Sequence, residues 1–262
     1  MSTEPSIVEP VPGERAAVAP IPGGRALLIA DYHAGYEATL ASERGVEVPS
    51  RARRRRERLL ALLERTGADR LVVLGDLMHS IGGPGGAERG ELEVLFESLP
   101  PGVGVTVVKG NHDGAIEGWL SEAAGPRELR IVPGDGTQIG DVGVCHGHTW
   151  PSAAVLGAAV VCHGHDHPSV RLTDEVGGSR VEPVWLRGRL DPAPFRARGD
   201  DLPAGFDERP PRLVVFPAFN ELAGGTWVNA DGSFLAPFLP DGGIDVEAYL
   251  LDGTRLGPYR TI

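Results

Sequence analysis

Lysine is all but absent from this chain of 262 residues: Lys109 stands alone among 25 basic side chains, and the rest are arginine. Cysteine and methionine occur twice each, and aromatic residues make up 6%. Two cysteines, Cys145 and Cys162, are too few for a disulfide framework, and each directly precedes a histidine, so a reducing cytoplasm is the expected compartment. No apolar run approaches the ~18 residues of a membrane span. Met1 to Pro12 lacks the charged-then-apolar layout of a secretory leader. A membrane partner is therefore not expected. The formal net charge of -11 opposes nucleic acid on average, so contact with DNA or RNA would need a local basic surface or bound cations. The arginine bias itself fits a salt-adapted acidic surface and a biased base composition equally well.

What remains is a soluble globular composition, 41% hydrophobic with 37 glycines. One domain is expected over residues 1–262, with residues 1–13 as a flexible N-terminus and 187–211, charged and proline-rich, as an insertion loop. Apolar runs at 16–20 and 25–30 surround Ile21-Pro22-Gly23-Gly24 and predict a hairpin feeding a buried strand that ends at Asp31. Ser50 is placed as an N-cap for a helix over 51–66 that stops at Gly67. Strands at 70–74 and 103–108, helices at 88–98 and 115–124, then strands at 142–145 and 158–162 follow. Beyond Pro168, strands at 170–172, 181–186, 212–216, 226–229 and 245–251 are separated by Pro/Gly-rich loops. Polar residues recur at the carboxyl ends of the strands, where open α/β sheets place their ligand crevices.

The eight histidines (33, 79, 112, 146, 148, 163, 165 and 167) all lie near such strand ends. Any one of them could be an ordinary hydrogen-bonded residue. Together with aspartates and an asparagine they form the imidazole and carboxylate set of a catalytic transition-metal site. Asp31 and His33, two apart on an extended segment, leave the same face and can grip one ion. Asp76 offers two carboxylate oxygens and could bridge two cations. Asn111 supplies an amide ligand, and His112 beside it an imidazole able to protonate a leaving oxygen. His146, His165 and His167 complete enough ligands for two ions, with no thiolate needed, and this speaks against a structural zinc site.

Other features read more plainly. Arg51, Arg53, Arg54, Arg55, Arg56 and Arg58 encircle the helix after Ser50 and are expected to form a solvated face, with a phosphate-contacting surface as the alternative. Gly82 to Gly86 lacks the Lys-Ser/Thr of a P-loop and is expected as a flexible lip of the site. Cys145 and Cys162 fit small buried strand positions. His163 is open between a partner behind the ligands and a plain strand residue, and no role is assigned to His79.

The strings Asp31-Tyr32-His33, Gly75-Asp76, Gly110-Asn111-His112-Asp113, His146-Gly147-His148 and Gly164-His165-Asp166-His167, in that order over residues ~25 to 168, resemble the signature blocks of the calcineurin-like metallophosphoesterase superfamily. His79 and Pro168 are similar to its small prokaryotic branch, related to repair exonucleases and DNA-ligase-associated phosphoesterases. The resemblance implies an α/β fold, a four-layer α/β/β/α sandwich of two mixed β-sheets flanked by helices. It implies that Asp31, His33 and His167 bind one metal, that Asn111, His146 and His165 bind the other, and that Asp76 bridges them. His112 becomes the general acid, and His148 a contact to a phosphate oxygen beside Asn111 and His112.

The expected function is a two-metal phosphoesterase in which a bridging hydroxide attacks a phosphodiester or phosphomonoester in line. Mn2+ is the first choice of cofactor, with iron or zinc also fitting. Two alternatives are carried: a nuclease that acts on DNA with a partner protein, and a non-catalytic metal-binding scaffold.

Overall fold

Three parallel strands carry the fold, and the reason is in their side chains. β3 (Gly24–Ile29), β4 (Arg70–Leu74) and β5 (Gly104–Val108) are almost continuously apolar, as strands covered on both faces must be. Their alternate residues divide between two cores. Leu27, Ile29, Leu71, Val73, Val105 and Val107 pack towards helices, whereas Ala26, Leu28, Val72, Leu74 and Val108 pack towards a second sheet. The computed structural model describes residues 7–81, 85–174, 176–199, 201–230 and 234–262.

The first sheet has six strands in the order β1-β2-β3-β4-β5-β6, with β1 (Glu9–Pro10), β2 (Ala17–Ile21) and β6 (Leu129–Val132) flanking the central three. Pairing is antiparallel from β1 to β3 and parallel from β3 to β6. Helices α1 (Tyr36–Arg44), α2 (Ala52–Thr66), α3 (Gly86–Ser98) and α4 (Glu117–Ala124) lie in the connections of this half. On α2 the buried residues Leu59, Leu62 and Leu63 form one stripe. Full burial of each contributes about 2 kcal/mol. Gly67, in the left-handed region at φ 60, ends the helix.

The second sheet has nine strands: β7 (Thr137–Ile139), β8 (Val142–Val144), β9 (Val160–His163), β10 (Pro168–Thr173), β11 (Ser179–Leu190), β12 (Arg212–Val215), β13 (Thr226–Trp227), β14 (Gly243–Leu250) and β15 (Arg255–Pro258). Its order is β13-β10-β11-β12-β9-β8-β7, with β14 also on β11 and β15 beyond it. Parallel pairs β8–β9, β9–β12 and β10–β13 mix with antiparallel ones. Trp185 and Phe216 fill the space between the sheets. The other face is covered by α5 (Ala153–Leu156), α6 (Pro192–Arg198) and the aromatic residues Phe206, Phe234 and Phe238. The architecture is thus an α/β fold of two mixed sheets with helices outside. No helix among the described residues is long and apolar enough to cross a membrane.

Several expectations change. The segment 187–211 is not one loop: Arg187–Leu190 completes β11, and Pro192–Arg198 is α6, capped by Asp191, whose side chain accepts from Ala193 N at 2.8 Å. Phe195 on α6 is fully buried. The flexible N-terminus expected over 1–13 gives way from Val8 onward, where Val8 and Val11 are buried and Glu9–Pro10 pairs with β2, and residues 1–6 of that expectation lie outside the described residues. The N-cap of α2 is Arg51, and Ser50 Oγ accepts from Ala52 N instead. The arginines of α2 are not one solvated face, because Arg55 is buried against Glu37 and Glu91. Of the lip expected at 82–86, residues 82–84 lie outside the described residues.

Candidate metal centre

The loops that leave β3 and β4 run side by side. Asp31 N donates to Gly75 O at 3.1 Å and His33 N to Asp76 O at 2.8 Å, and Ala34 bridges to Met78. Gly75, at φ 86, lies where any Cβ would collide with the His146 ring, and a Cβ at Gly110 would strike the Asp76 carboxylate. Glycine lets the backbone approach that closely. Six non-glycine residues among those described have positive φ, and five of them are Asp31, His33, Asp76, His165 and His167. Left-handed backbone at such residues is costly and is held by its surroundings, a pattern that marks functional sites.

The side chains meet in two clusters, Asp31 with His33 and His167, and Asp76 with His146 and His165. The two share a border. Asp76 Oδ1 lies 3.3 Å from His146 Nε2, while its Oδ2 lies 3.9 Å from His33 Nε2. Asp31 Oδ1 is 3.3 Å from His167 Nε2. Asn111 Oδ1 is 3.2 Å from His146 Nε2. Every residue expected as a ligand from the sequence therefore stands in this one place.

The rings are aimed as ligands to cations would be. His146 donates its Nδ1–H to Leu74 O at 2.8 Å, and His167 donates its own to Gly224 O at 2.8 Å. In both, Nε2 is left with its lone pair facing the carboxylates. His33 Nε2 lies 3.4 Å from His167 Nε2, and its Nδ1 lies 3.3 Å from His79 Nδ1. Unprotonated nitrogens converging on buried carboxylates are a donor set that requires positive charge between them. Protons supply it in the bare protein. Burial disfavours a charged His146, but Asp76 and Asp31 outweigh it and push its pKa up to about 9. Burial would raise the pKa values of Asp31 and Asp76, yet His167 and His146 hold both carboxyls below the ordinary range. His33, where burial dominates, drops to about 3, and His165, buried beside His146, drops to about 4. Divalent cations fit where those protons sit.

Around the clusters lie the other expected residues. His112 donates its backbone N–H to Asp76 Oδ1 at 3.1 Å and its Nδ1–H to His79 O, so that Nε2 lies 3.9 Å from Asp76 Oδ2. Its ring stacks on His79 with centroids 5.1 Å apart. His148 packs against His146 and His165 and lines a surface cavity of about 470 Å³ together with Lys109, Gly110 and Glu117. Cys145 and Cys162 are fully buried, and burial pushes the Cys145 thiol up to about 12. His163 is buried behind the site, with Nδ1 3.0 Å from Gly164 O.

Three supporting residues escaped the sequence reading. Asp113 accepts backbone N–H groups from Leu77, Met78 and Gly110, at 3.2, 2.9 and 2.9 Å, and so binds the Asp76 and Asn111 loops together. Glu88 accepts from His79 N, Ser80 N and Gly85 N, fixing the turn that carries His79. Asn220, late in the chain, donates its backbone N–H to Asp31 O at 3.1 Å and its Nδ2–H to His33 O at 3.3 Å. Asp113 had a signal in its place in the Gly-Asn-His-Asp string, and Asn220 in the string Phe216-Pro217-Ala218-Phe219-Asn220, which is similar to the closing strands of the prokaryotic branch; Glu88 had none.

The comparisons agree with this geometry. A crystal structure of the nuclease MPE of Pseudomonas putida is similar over 95% of this chain and 100% of that one, with a TM-score of 0.52 and 18% identity. YfcE, a phosphoesterase from E. coli, is similar over 57% of this chain and 73% of that one, with a TM-score of 0.35 and 21% identity. At such identity the first likeness speaks to the fold alone, and the second carries no argument. No curated protein matches the chain. The family described as calcineurin-like phosphoesterase matches residues 24–246, and with two adjoining clusters suited to a dinuclear metal site the chain belongs to that family of metal-dependent hydrolases.

Proposed function

We propose that the chain hydrolyses phosphodiester or phosphomonoester bonds with two divalent cations, Mn2+ first among them. The observation that supports this best is the placing of Asp76 between the clusters, one oxygen towards each. In this reading Asp31, His33 and His167 hold one cation, Asn111, His146 and His165 hold the other, and Asp76 holds both. When bound, such a pair neutralises a phosphoryl group and lowers the pKa of water towards neutrality. The protein's own part is orientation and proton supply. His112, with Nδ1–H tied to His79 O, turns Nε2 towards the clusters, and there a proton on it can pass to a leaving oxygen. His148 and Asn111 would bind phosphate oxygens.

The test is metal analysis together with hydrolysis of an aryl phosphodiester and an aryl phosphomonoester, in Mn2+ and after chelation. Turnover that falls to background with chelator and returns with Mn2+ is expected. Stoichiometric metal without turnover on any phosphoester would sink the reading and favour a binding scaffold.

A nucleic-acid substrate is the second reading. It draws support from Trp227, 43% exposed on β13, with the Arg171 guanidinium 5.4 Å from its ring centre. Thr226, next to it, donates its N–H to His167 O at 3.2 Å. An exposed indole backed by arginine suits base stacking beside a phosphodiester site. The similarity to a nuclease in fold agrees with this.

A further inference from the structure

On the other side of the loop that carries Asn220, three arginines, Arg54 and Arg58 of α2 and its N-cap Arg51, surround one carboxylate. Arg58 Nη1 donates to Glu221 Oε1 at 3.1 Å, while Arg51 Nη1 and Arg54 Nη2 stop 3.6 Å from Oε2 and close no hydrogen bond to it. The side chains of Arg51 and Arg54 are 46% and 72% exposed. Around them Arg15 and Arg65 add two further charges, and Glu14 joins Glu221 as counter-charge. Five cations thus face two carboxylates, on a protein whose net charge is -11.

Buried side chains connect the patch to the two clusters. Arg58 lies 5.0 Å from the ring centre of Phe219, whose ring stacks on Tyr32, the residue between Asp31 and His33. Arg15 donates to Ala218 O and Asn220 O, and Asn220 is tied to Asp31 and His33.

We infer that Arg51, Arg54 and Arg58 form a subsite for a backbone phosphate of a nucleic-acid strand flanking the scissile bond, and that Glu221 occupies this subsite until the strand displaces it. The inference rests on the phosphodiester reading above and names its substrate class. A backbone phosphate matches the geometry because its two anionic oxygens, on a tetrahedral centre and free of the tether that holds Glu221, can seat themselves within hydrogen-bond reach of the guanidinium forks of Arg51 and Arg54, which stand 3.6 Å from Glu221 Oε2. Glu221 acts as a built-in competitor, which weakens unspecific anion binding.

The experiment measures binding of a fluorescent oligonucleotide by anisotropy and turnover of an aryl phosphodiester on the same Mn2+-loaded protein. For R51A/R54A, affinity for the oligonucleotide should fall about tenfold or more at low salt, and the slope of log K against log salt should drop by about 0.7 to 0.9, the share of the one phosphate lost. Aryl-ester turnover should stay within about twofold. Glu221→Gln should bind the oligonucleotide more tightly, and it is unaffected by any misfolding of the double variant. Unchanged affinity and salt slope in R51A/R54A would overturn the inference. So would inorganic phosphate changing aryl-ester turnover through these arginines while oligonucleotide affinity stays constant, since that outcome marks a free-phosphate site. Loss of the phosphodiester reading shows separately, as wild-type protein without aryl-ester turnover.

Discussion

His112 and His146 show how two surroundings divide one residue type. His146 is fully buried, with Nδ1 fixed on Leu74 O and Nε2 facing Asp76. His112 is partly exposed, anchored through Nδ1 to His79 O, and lies at the rim. A rim imidazole can exchange protons with solvent and substrate, which an enclosed ring cannot. His112→Ala should therefore lower turnover of an ester with a poorly leaving alcohol by about 100-fold or more, the usual share of general acid catalysis. With a nitrophenolate leaving group, which needs no proton, the loss should be below about tenfold. Equal losses on both esters would assign His112 to substrate binding instead.

At the scale of elements, α1, α2 and α3 are joined by a buried ion network. Arg55 of α2 donates to Glu37 of α1 at 3.2 Å and to Glu91 of α3 at 2.7 Å, and Glu91 also receives the N–H of Gly35, just beyond His33, at 3.0 Å. Arg55→Ala leaves two carboxylates buried without their cation and should cost about 3–5 kcal/mol in urea unfolding. Burial would raise the Glu37 carboxyl, but Arg55 and the Arg51 N–H outweigh it and hold it below its ordinary value of 4.5. A depressed carboxyl stabilises the fold above its unfolded pKa, and that contribution is lost as pH falls through the folded value. Stability should accordingly decline below about pH 4.5, and less steeply in Glu37→Gln. The same helices explain what the sequence left hidden. α1 buries Glu37 and no apolar stripe, so no 3.6-residue hydrophobic period announces it. β11 runs on through Arg187 and Arg189, and Pro192 opens α6 rather than ending structure. Legible, by contrast, were the central strands, whose near-unbroken apolar runs admit little else. So was the convergence of Asp31, His33, His167, Asp76, His146 and His165 on two clusters with Asn111 beside them, since the chemistry of these residues lies in their own side chains. Asn220 and Gly224 are brought in by the chain's return; the strings Phe216-Pro217-Ala218-Phe219-Asn220 and Gly224-Gly225 are similar to the closing strands of the prokaryotic branch, but nothing in them gives the contacts to Asp31, His33 and His167.

For the molecule as a whole, the centre is a seam. Asp31, His33, Asp76 and Asn111 follow strands of the first sheet, whereas His146, His165 and His167 follow β8 and β9 of the second. Cations bound there would join the two sheets directly, close buried carboxylates, and offset part of the net charge of -11. Binding to the folded state alone stabilises it by about 2.7 kcal/mol per site at a hundredfold excess over Kd. Two sites then contribute about 5 kcal/mol, which for a chain of this length raises Tm by roughly 10–20 °C. Calorimetry of chelated protein before and after Mn2+ addition should show that rise. Asp76→Asn, which weakens a ligand common to both clusters, should lose more than half of it, whereas an alanine at Asn111, on one cluster only, should lose less. Chelated and Mn2+-saturated proteins melting at the same temperature would mean that the strained, positive-φ loops of Asp31, Asp76 and His167 are held by protein contacts alone, with no metal joining the sheets.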